Sequence, residues 1–278
     1  MPTAILPHDL HEACVARRDH PEHVVVAGGT DLMVGVNEGR RHVPGWISLR
    51  RVRDLAGITR TPAGEWQIGA GTTHATLAAA ADLGALALAA ATVGGPQIRT
   101  AGTLGGNVVT ASPAGDTLPA LLCLDAMVEL RSVDTGRIVG LADFLLGPGR
   151  TTLAPDELVA RIHLPAPAGV TTFAKVGPRT SMAISICSIA ARLDPAGGAA
   201  RVAVGSVAPT ARRVHDAEAL LLERTAGDDF AARVVAGSSP IDDHRASAAY
   251  RRHALAVVAR RVHTNLWRQI DAARGGAR

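Results

Sequence analysis

The sequence is poor in aromatic residues, in lysine and in long apolar runs. Phe, Trp and Tyr make up 3% of the 278 residues, and Lys175 is the only lysine among 29 basic residues. The arginines are scattered, the net charge is only +4 and no nucleic-acid motif appears, which together argue against nucleic-acid binding. No apolar run reaches the roughly 18 residues of a membrane helix, and no signal peptide is visible. We therefore expect a cytoplasmic protein with no membrane insertion.

Cysteine is also scarce, with three residues far apart in apolar surroundings. They are Cys14, Cys123 and Cys187. Without a Cys-x-x-Cys pair, this chain alone cannot ligate an iron–sulfur cluster or a cysteine zinc site. Two His-x-x-His pairs near the N-terminus lack a strong third ligand; they are His8/His11 and His20/His23. We predict buried thiols, no metal site and, since no Ser/His/Asp set is evident, no catalytic side chain.

Apolar residues and glycine are abundant, at 47% of the chain and 29 residues respectively, so a substantial core is expected. Up to about residue 165, short apolar strands alternate with helices; the first helix is predicted from Asp9 to Arg18 and the first buried strand over residues 24–27. Pro165 to Gly169 is typical of a linker. Three strand-like runs and several helices follow it. The prediction is an α+β protein with domains at 1–168 and 169–278, the second containing a three-stranded antiparallel sheet and helices.

The first of two glycine-rich segments follows the predicted buried strand, as Val25-Val26-Ala27-Gly28-Gly29-Thr30-Asp31-Leu32. Paired glycines permit positive φ, so that successive backbone N–H groups can converge on an anion. Thr30 can add a hydroxyl donor. Asp31 would repel a pyrophosphate, and we expect it to point away and cap the next turn. An ordinary strand-to-helix turn is the alternative.

The second segment runs from Thr92 to Asp116 and contains five glycines within residues 94–106. This density predicts an extended backbone surface that holds something polar, rather than a helix or a packed strand. Asp116 could accept hydrogen bonds from a ribose or an adenine amine. A plain surface loop is the alternative. A third pattern, Gly69-x-Gly71-x-x-His74, has histidine where a dinucleotide fingerprint needs its third glycine, which argues against a Rossmann site.

These segments together resemble the FAD-binding medium subunits of molybdenum hydroxylases, of the xanthine dehydrogenase and carbon monoxide dehydrogenase type. The first is similar to their Ala-Gly-Gly-Thr-Asp-Leu loop. The second is similar to their long signature Gly-Gly-x-Gln-Ile-Arg-x-x-Gly-Thr-x-Gly-Gly-Asn, continued by Ser-Pro-x-x-Asp; Thr100 departs from the Asn that is common there. The resemblance continues at residues 158–165, 175–179, 242–245 and 250–252, so it covers nearly the whole chain.

The resemblance implies an FAD-binding domain of the vanillyl-alcohol-oxidase-like (PCMH) type, made of two subdomains and followed by a small C-terminal domain. The pyrophosphate would lie against Val25 to Leu32, with Thr103 to Asn107 continuing the cradle. Asp116 would hold the adenosine part. The implied cofactor-binding residues are Val25, Val26, Ala27, Gly28, Gly29, Thr30, Asp31, Leu32, Val93, Gly94, Gly95, Thr103, Leu104, Gly105, Gly106, Asn107, Asp116, Val159 and Lys175.

The resemblance also implies partners: a molybdenum-cofactor large subunit and a [2Fe–2S] small subunit, as a dimer of heterotrimers. FAD would collect electrons from the clusters and deliver them to NAD+ or another acceptor, so the chain would be part of an oxidoreductase. The alternative is a self-sufficient flavin oxidase or dehydrogenase on the same fold. Such enzymes usually carry a larger substrate domain than the roughly 110 residues after the linker.

Overall fold

The computed structural model describes residues 3–166 and 168–275. The strands are β1 (Thr3–Ile5), β2 (Val24–Val26), β3 (Gly45–Ser48), β4 (Ile58–Arg60), β5 (Trp66–Gly69), β6 (Met127–Arg131), β7 (Gly136–Gly140), β8 (Leu145–Gly147), β9 (Arg150–Thr151), β10 (Leu158–Leu164), β11 (Val170–Val176), β12 (Cys187–Asp194), β13 (Ala199–Gly205) and β14 (Arg212–Arg213). The α-helices are α1 (Leu10–Asp19), α2 (Leu32–Asn37), α3 (His74–Ala79), α4 (Ala85–Ala91), α5 (Pro96–Ala101), α6 (Leu104–Thr110), α7 (Thr117–Cys123), α8 (Leu141–Phe144), α9 (His215–Leu222), α10 (Gly227–Ala236) and α11 (Ala248–Gly275).

The described residues form two compact units. The first contains residues 3–76, 96–111 and 126–166, and the second contains residues 77–95, 112–125 and 168–275. The second unit thus includes two segments from the first half of the chain. The domain boundary between residues 168 and 169 stays a prediction, and Pro167 of the predicted linker lies outside the described residues.

The first unit contains two main sheets. The smaller is parallel, in the order β1-β3-β2, and the larger is antiparallel, in the order β4-β5-β10-β6-β7. Helix α1 begins as predicted, because the Asp9 carboxylate accepts a hydrogen bond from the Glu12 N–H at 2.8 Å. The expectation that residues 24–27 form a strand buried on both faces was wrong. Strand β2 has three residues, its valines are half-buried, and among the described residues it pairs only with β3, so it lies at the edge of the sheet.

The second glycine-rich segment differs most from its prediction, because it contains two helices, α5 and α6, in place of an extended surface. Its glycines lie where a helix tolerates them. Pro96 starts α5, the Gly102–Thr103 turn separates the two helices, and Gly105 and Gly106 lie in the first turn of α6. Thr103 caps α6 by accepting a hydrogen bond from the Gly106 N–H at 3.1 Å. Glycine content alone therefore gave the wrong local structure.

The second unit is built on an antiparallel sheet in the order β11-β12-β13-β14. The three predicted strands are confirmed, and the structure adds a two-residue fourth strand, β14. Strand β12 is buried along nearly its whole length, because helices α7 and α11 both pack against it. Apolar residues at helical spacing on α11, including Leu255, Val262 and Leu266, complete this core. The result is a rigid base for the loops at the strand ends.

Candidate functional site

The loop between β2 and α2 presents backbone donors that nothing in the chain uses. Within residues 3–166 and 168–275, the N–H groups of Gly28, Gly29, Thr30 and Asp31 donate to no partner. Gly29 has a φ of 70°, a conformation that favours glycine. Gly28, Gly29 and Thr30 are half-buried, and backbone amides in such positions are normally paired. Their unpaired N–H groups, with that of the exposed Asp31 beside them, indicate a place for an external acceptor. Such a turn of converging N–H groups suits a phosphate.

Thr30 and Asp31 follow their predictions only in part. Thr30 is half-buried, whereas Asp31 is exposed and its side chain makes no cap hydrogen bond at the start of α2. Asp31 has helical backbone angles and stands at the N-cap position. The expectation that it caps the following turn was therefore wrong.

The Gly28–Asp31 loop packs directly on the second glycine-rich segment. A Cβ atom at Gly28 would overlap the carbonyl oxygen of Ala101 and lie 2.9 Å from the Cα of Gly102. A Cβ at Gly102 would in turn lie 3.2 Å from the Thr30 Oγ1 and 3.1 Å from the His74 Cδ2. Glycine is therefore needed at both positions because the two backbones approach closely.

The start of α6, unlike the Gly28–Asp31 loop, has its amides engaged. The Leu104 N–H donates to Thr72 O at 2.9 Å, and the Gly105 N–H donates to Ala70 O at 2.8 Å. The Gly106 and Asn107 amides both donate to Thr103, at its Oγ1 and its carbonyl. These bonds fix the segment in place. Direct contact between Thr103–Asn107 and a cofactor stays a prediction, and the exposed Gly106 and half-buried Asn107 are the members of this segment most open to solvent.

His74 lies at this junction. Its sequence pattern argued only against a Rossmann site and did not predict a position beside the glycine-rich segments. Its backbone N–H donates to Gly102 O at 3.0 Å, and its ring is 3% exposed. The ring Nδ1 is buried without a hydrogen-bond partner among the described residues. Burial, reinforced by the positive charge of Arg99, lowers the pKa of His74 to about 4. The ring is therefore neutral at neutral pH.

In the second unit, Asp116 and Lys175 form a buried pair. The Lys175 Nζ donates to the Asp116 Oδ2 at 2.5 Å, to Thr92 O at 2.9 Å and to Ala183 O at 3.1 Å, which uses its three protons. Asp116, 7% exposed, also accepts from the Ser185 Oγ at 2.7 Å. The pair is thus held from several sides.

This network limits what the two side chains can offer a ligand. The Thr92 Oγ1 lies 3.1 Å from the Asp116 Oδ2 and 2.8 Å from Ala89 O, and its single proton can be donated to either of them. Of the roughly four acceptor positions of a carboxylate, at least one is left, on the Asp116 Oδ1. Contact of Asp116 and Lys175 with a cofactor stays a prediction; Thr92 and Ser185 were missed because a lone hydroxyl gives no sequence signal.

The remaining predicted residues lie in both units. Val93, Gly94 and Gly95 follow Thr92 in the second unit, and Gly94 has a φ of 47°. Val159 lies in β10 of the first unit, is 6% exposed and precedes a register shift in the pairing with β6. Its contact with a cofactor likewise stays a prediction.

The cysteines are free and buried, as predicted. Burial raises the pKa of Cys123 to about 12 and that of Cys187 to about 11, so both thiols are protonated at neutral pH. A further cluster joins His20, Glu22 and His23, with 3.3 Å between the Glu22 Oε1 and the His23 Nε2. The two histidine rings stack, with their centroids 4.7 Å apart and 17° between their planes.

These features define the class of the protein as an α+β protein with a Gly-Gly loop whose N–H groups have no partner among the described residues. Comparison gives the family. Residues 3–167 match the FAD binding domain in molybdopterin dehydrogenase, and residues 172–266 match the CO dehydrogenase flavoprotein C-terminal domain. The chain therefore belongs to the FAD-binding medium subunits of molybdenum hydroxylases, of the xanthine dehydrogenase and CO dehydrogenase type. Its cofactor is FAD and it is part of an oxidoreductase, which confirms the resemblance and the fold class.

Individual relatives agree with this assignment. The putative xanthine dehydrogenase FAD-binding subunit of Escherichia coli is 31% identical over 262 residues, 88% of each chain. The carbon monoxide dehydrogenase medium chain of Afipia carboxidovorans is 32% identical over 78% of this chain and 79% of its own. Among solved structures, quinoline 2-oxidoreductase from Pseudomonas putida matches with a TM-score of 0.88 and 25% identity, covering 96% of each chain. No described helix is long and apolar enough to span a membrane.

Proposed function

We propose that this chain is the electron-transfer flavoprotein subunit of a molybdenum hydroxylase. It receives electrons from the [2Fe–2S] clusters of a small subunit and passes them to NAD+ or another acceptor, while a large subunit oxidises substrate at a molybdenum cofactor. Support for the assembly comes from relatives that are themselves named as subunits or medium chains of dehydrogenases. Because 88% of the Escherichia coli subunit is covered, the likeness extends over most of that protein. A dimer of such heterotrimers, in the cytoplasm, is part of the proposal.

The observation that carries the cofactor assignment is the set of four unpaired N–H groups from Gly28 to Asp31. In our proposal they donate to the FAD pyrophosphate, with the Thr30 hydroxyl as an additional donor. Their geometry needs no rearrangement of existing hydrogen bonds, because none of the four is engaged. A pyrophosphate is also the part of FAD whose negative charge best matches unpaired N–H donors.

The other predicted residues have supporting roles in this proposal. The loop is positioned by the residues that flank it, Val25, Val26, Ala27 and Leu32. The segment from Thr103 to Asn107 supports the loop, and its Gly106 and Asn107 are exposed enough to touch the cofactor. Asp116 binds the adenosine part through its remaining acceptor. Lys175 holds Asp116 in place, and Val93, Gly94, Gly95 and Val159 line the nucleotide.

When bound, FAD supplies the two-electron chemistry, and it can exchange electrons one or two at a time with different partners. The chain's own contribution is to bind and orient the cofactor. We assign no proton-transferring side chain, in keeping with the sequence prediction of no catalytic residue.

The first test is the flavin content of the purified chain. Released, unmodified FAD near one equivalent per chain, identified by chromatography after acid treatment, is the expected result. A chain that stays colourless after incubation with FAD, both alone and when co-expressed with the neighbouring molybdenum and iron–sulfur subunit genes, would contradict the proposal.

The second test concerns the acceptor. The FAD-loaded chain is mixed anaerobically with NADH, which can donate a hydride to the oxidised cofactor in the reverse direction. Bleaching of the oxidised-flavin absorption band would support NAD+ as the acceptor. No bleaching by NADH, with full bleaching by dithionite, would instead assign a different acceptor. Turnover of substrate by the isolated chain would favour the self-sufficient oxidase.

A further inference from the structure

Arg251, in the first turn of α11, is a buried arginine that the proposed function leaves unexplained. It is 3% exposed, and its Nη2 donates to the Asp243 Oδ1 at 2.7 Å. The same carboxylate oxygen accepts the N–H groups of Arg245 at 2.8 Å and Ala246 at 3.1 Å. Although desolvation opposes it, these hydrogen bonds and the guanidinium lower the pKa of Asp243 to about 2. Asp243 is therefore a fixed anion that holds Arg251.

The other terminal nitrogen of the guanidinium donates hydrogen bonds to two backbone carbonyls. The Arg251 Nη1 donates to Ile186 O at 2.6 Å and to Ser206 O at 2.9 Å, and both hydrogen bonds are buried. Ile186 directly precedes β12 and Ser206 directly follows β13. Ser206 has a φ of 62°, a strained conformation for serine that persists only when its surroundings hold it. Arg251 is one of the groups that hold it.

Each of the two residues that Arg251 contacts is connected by a further hydrogen bond to the segment around Asp116. On one route, Ser185, next to Ile186, donates from its Oγ to the Asp116 Oδ1 at 2.7 Å. On the other, the Ser206 N–H donates to Pro113 O at 2.8 Å, three residues before Asp116. All of these residues belong to the second unit. Arg251 is thus linked to the Asp116 segment by two chains of contacts, without touching Asp116 itself.

We propose that Arg251 is a positioning residue for FAD binding: anchored by Asp243, it fixes Ser185 and Ser206 and thereby orients Asp116 toward the adenosine part of FAD. The inference rests on the proposed function, in which Asp116 contacts the cofactor. It also gives a physical reason for the paired Asp242–Arg245 and Tyr250–Arg252 segments that contributed to the family resemblance.

The test compares FAD affinity among folded variants. Arg251→Gln removes the two-pronged contact and should weaken FAD binding about tenfold, the effect of losing one charge-assisted hydrogen bond. Arg251→Lys keeps the charge but cannot bridge both carbonyls, so an intermediate loss is expected. Val262→Ala is the matched control. Val262 lies on the same helix and is 2% exposed, so its truncation destabilises the core of the second unit. Its side chain has no hydrogen-bonding group and so takes no part in the Arg251 network, and the variant should bind FAD as the wild type does.

A merely structural role is separated from positioning by a double-mutant cycle with Ser185→Ala. If Arg251 acts partly through Ser185, the loss of affinity in the double variant is smaller than the product of the two single losses. Losses that multiply would overturn the proposal. In the FAD-free protein, amide hydrogen exchange at Ile186 and Ser206 should also be faster in Arg251→Gln than in Val262→Ala; equal rates would contradict the proposal.

The outcomes keep the two claims apart. If the wild type binds FAD and Arg251→Gln and Arg251→Lys bind it equally well, the inference is wrong and the proposed function stands. If neither the wild type nor its co-expressed complex binds FAD, the proposed function is wrong and the inference is overturned with it.

Discussion

The Gly28–Asp31 loop and the start of α6, both in the first unit, use glycine for different purposes. In the Gly28–Asp31 loop, the backbone N–H groups are left unpaired within the described residues. At the start of α6, the corresponding groups of residues 104–107 all have partners in the chain. In our proposal, the first segment offers donors to FAD, whereas the second supplies close packing. The N–H groups of residues 104–107, which belong to the longer and more family-specific signature, thus already have hydrogen-bond partners in the chain.

This difference also changes which glycine we expect to be most important for FAD binding. The family resemblance places Gly106 in the phosphate cradle, and its contact with the cofactor stays a prediction. Gly106 lies in α6 and is absent from the glycines with positive φ, so its backbone conformation does not require glycine. Gly28 is the tighter position, because any Cβ there would overlap the Ala101 carbonyl oxygen.

The largest expected effect is that of Gly28→Ala. The added methyl group must push the loop away from Ala101 and misalign the unpaired N–H groups. Losing two such hydrogen bonds to a charged ligand corresponds to about a hundredfold weaker FAD binding. Fluorescence titration of the FAD-free protein measures it.

Gly35→Ala in α2 is the control for that variant, because its Cβ would make an ordinary 3.7 Å contact with the Arg41 Cβ. It should bind FAD normally. Unchanged affinity in Gly28→Ala would show that the loop does not depend on its contact with the second segment.

The next effect concerns His74, which lies beneath the junction of the two segments. Its pKa of about 4 in the folded chain is below the ordinary value of 6.5. The unfolded chain therefore binds an extra proton between these values, and stability is lost as pH falls from about 6.5 to about 4. The full loss is roughly 3 kcal/mol.

Urea unfolding at pH 7 and pH 5 checks this expectation. His74→Gln should reduce the difference in unfolding free energy that the wild type shows between these pH values; His263, whose pKa is also lowered by burial, contributes to the difference that remains. A variant whose pH dependence matches the wild type would mean that His74 is not the group that titrates.

Gly105→Ala should act mainly on stability. Its Cβ would lie 2.6 Å from the Ala70 Cβ, and overpacking of this kind costs about 1–3 kcal/mol. The folded fraction should bind FAD within about threefold of wild type, since the unpaired loop is untouched. A large loss of FAD affinity at normal stability would show instead that the second segment binds the phosphate directly.

The smallest effect is expected for Gly106→Ala. Its Cβ would meet only the Thr103 Oγ1, at 2.9 Å, so the cost is that of a disturbed helix cap, about 1 kcal/mol. Thermal unfolding and an FAD titration on the same sample test this. Loss of FAD binding at an unchanged melting temperature would contradict the division of roles between the segments.

The sequence predicted the elements with a strong local signal. The start of the first helix at Asp9 and the three long strands of the C-terminal sheet were correct, because capping and strand patterning are local properties. The helices in residues 96–110 were missed because glycine has low intrinsic helix propensity, and here tertiary packing on Ala70 overrides it.

The site was predictable only as far as its motifs extend. The Gly28–Asp31 loop follows from its residues. The roles of Ser185 and Arg251 do not, because they depend on contacts with residues 69 and 65 positions away in the chain. Burial of His74 likewise depends on the approach of Gly102, which no local pattern encodes.

Hydrogen exchange of individual backbone amides, measured without and with FAD, tests the central claim most directly. The N–H groups of residues 28–31 should exchange rapidly in the FAD-free protein and become protected when FAD binds, whereas those of residues 104–107 should be protected in both states. Amides 104–107 that exchange rapidly until FAD is added, with residues 28–31 unaffected by it, would contradict the assignment of the pyrophosphate to the first loop.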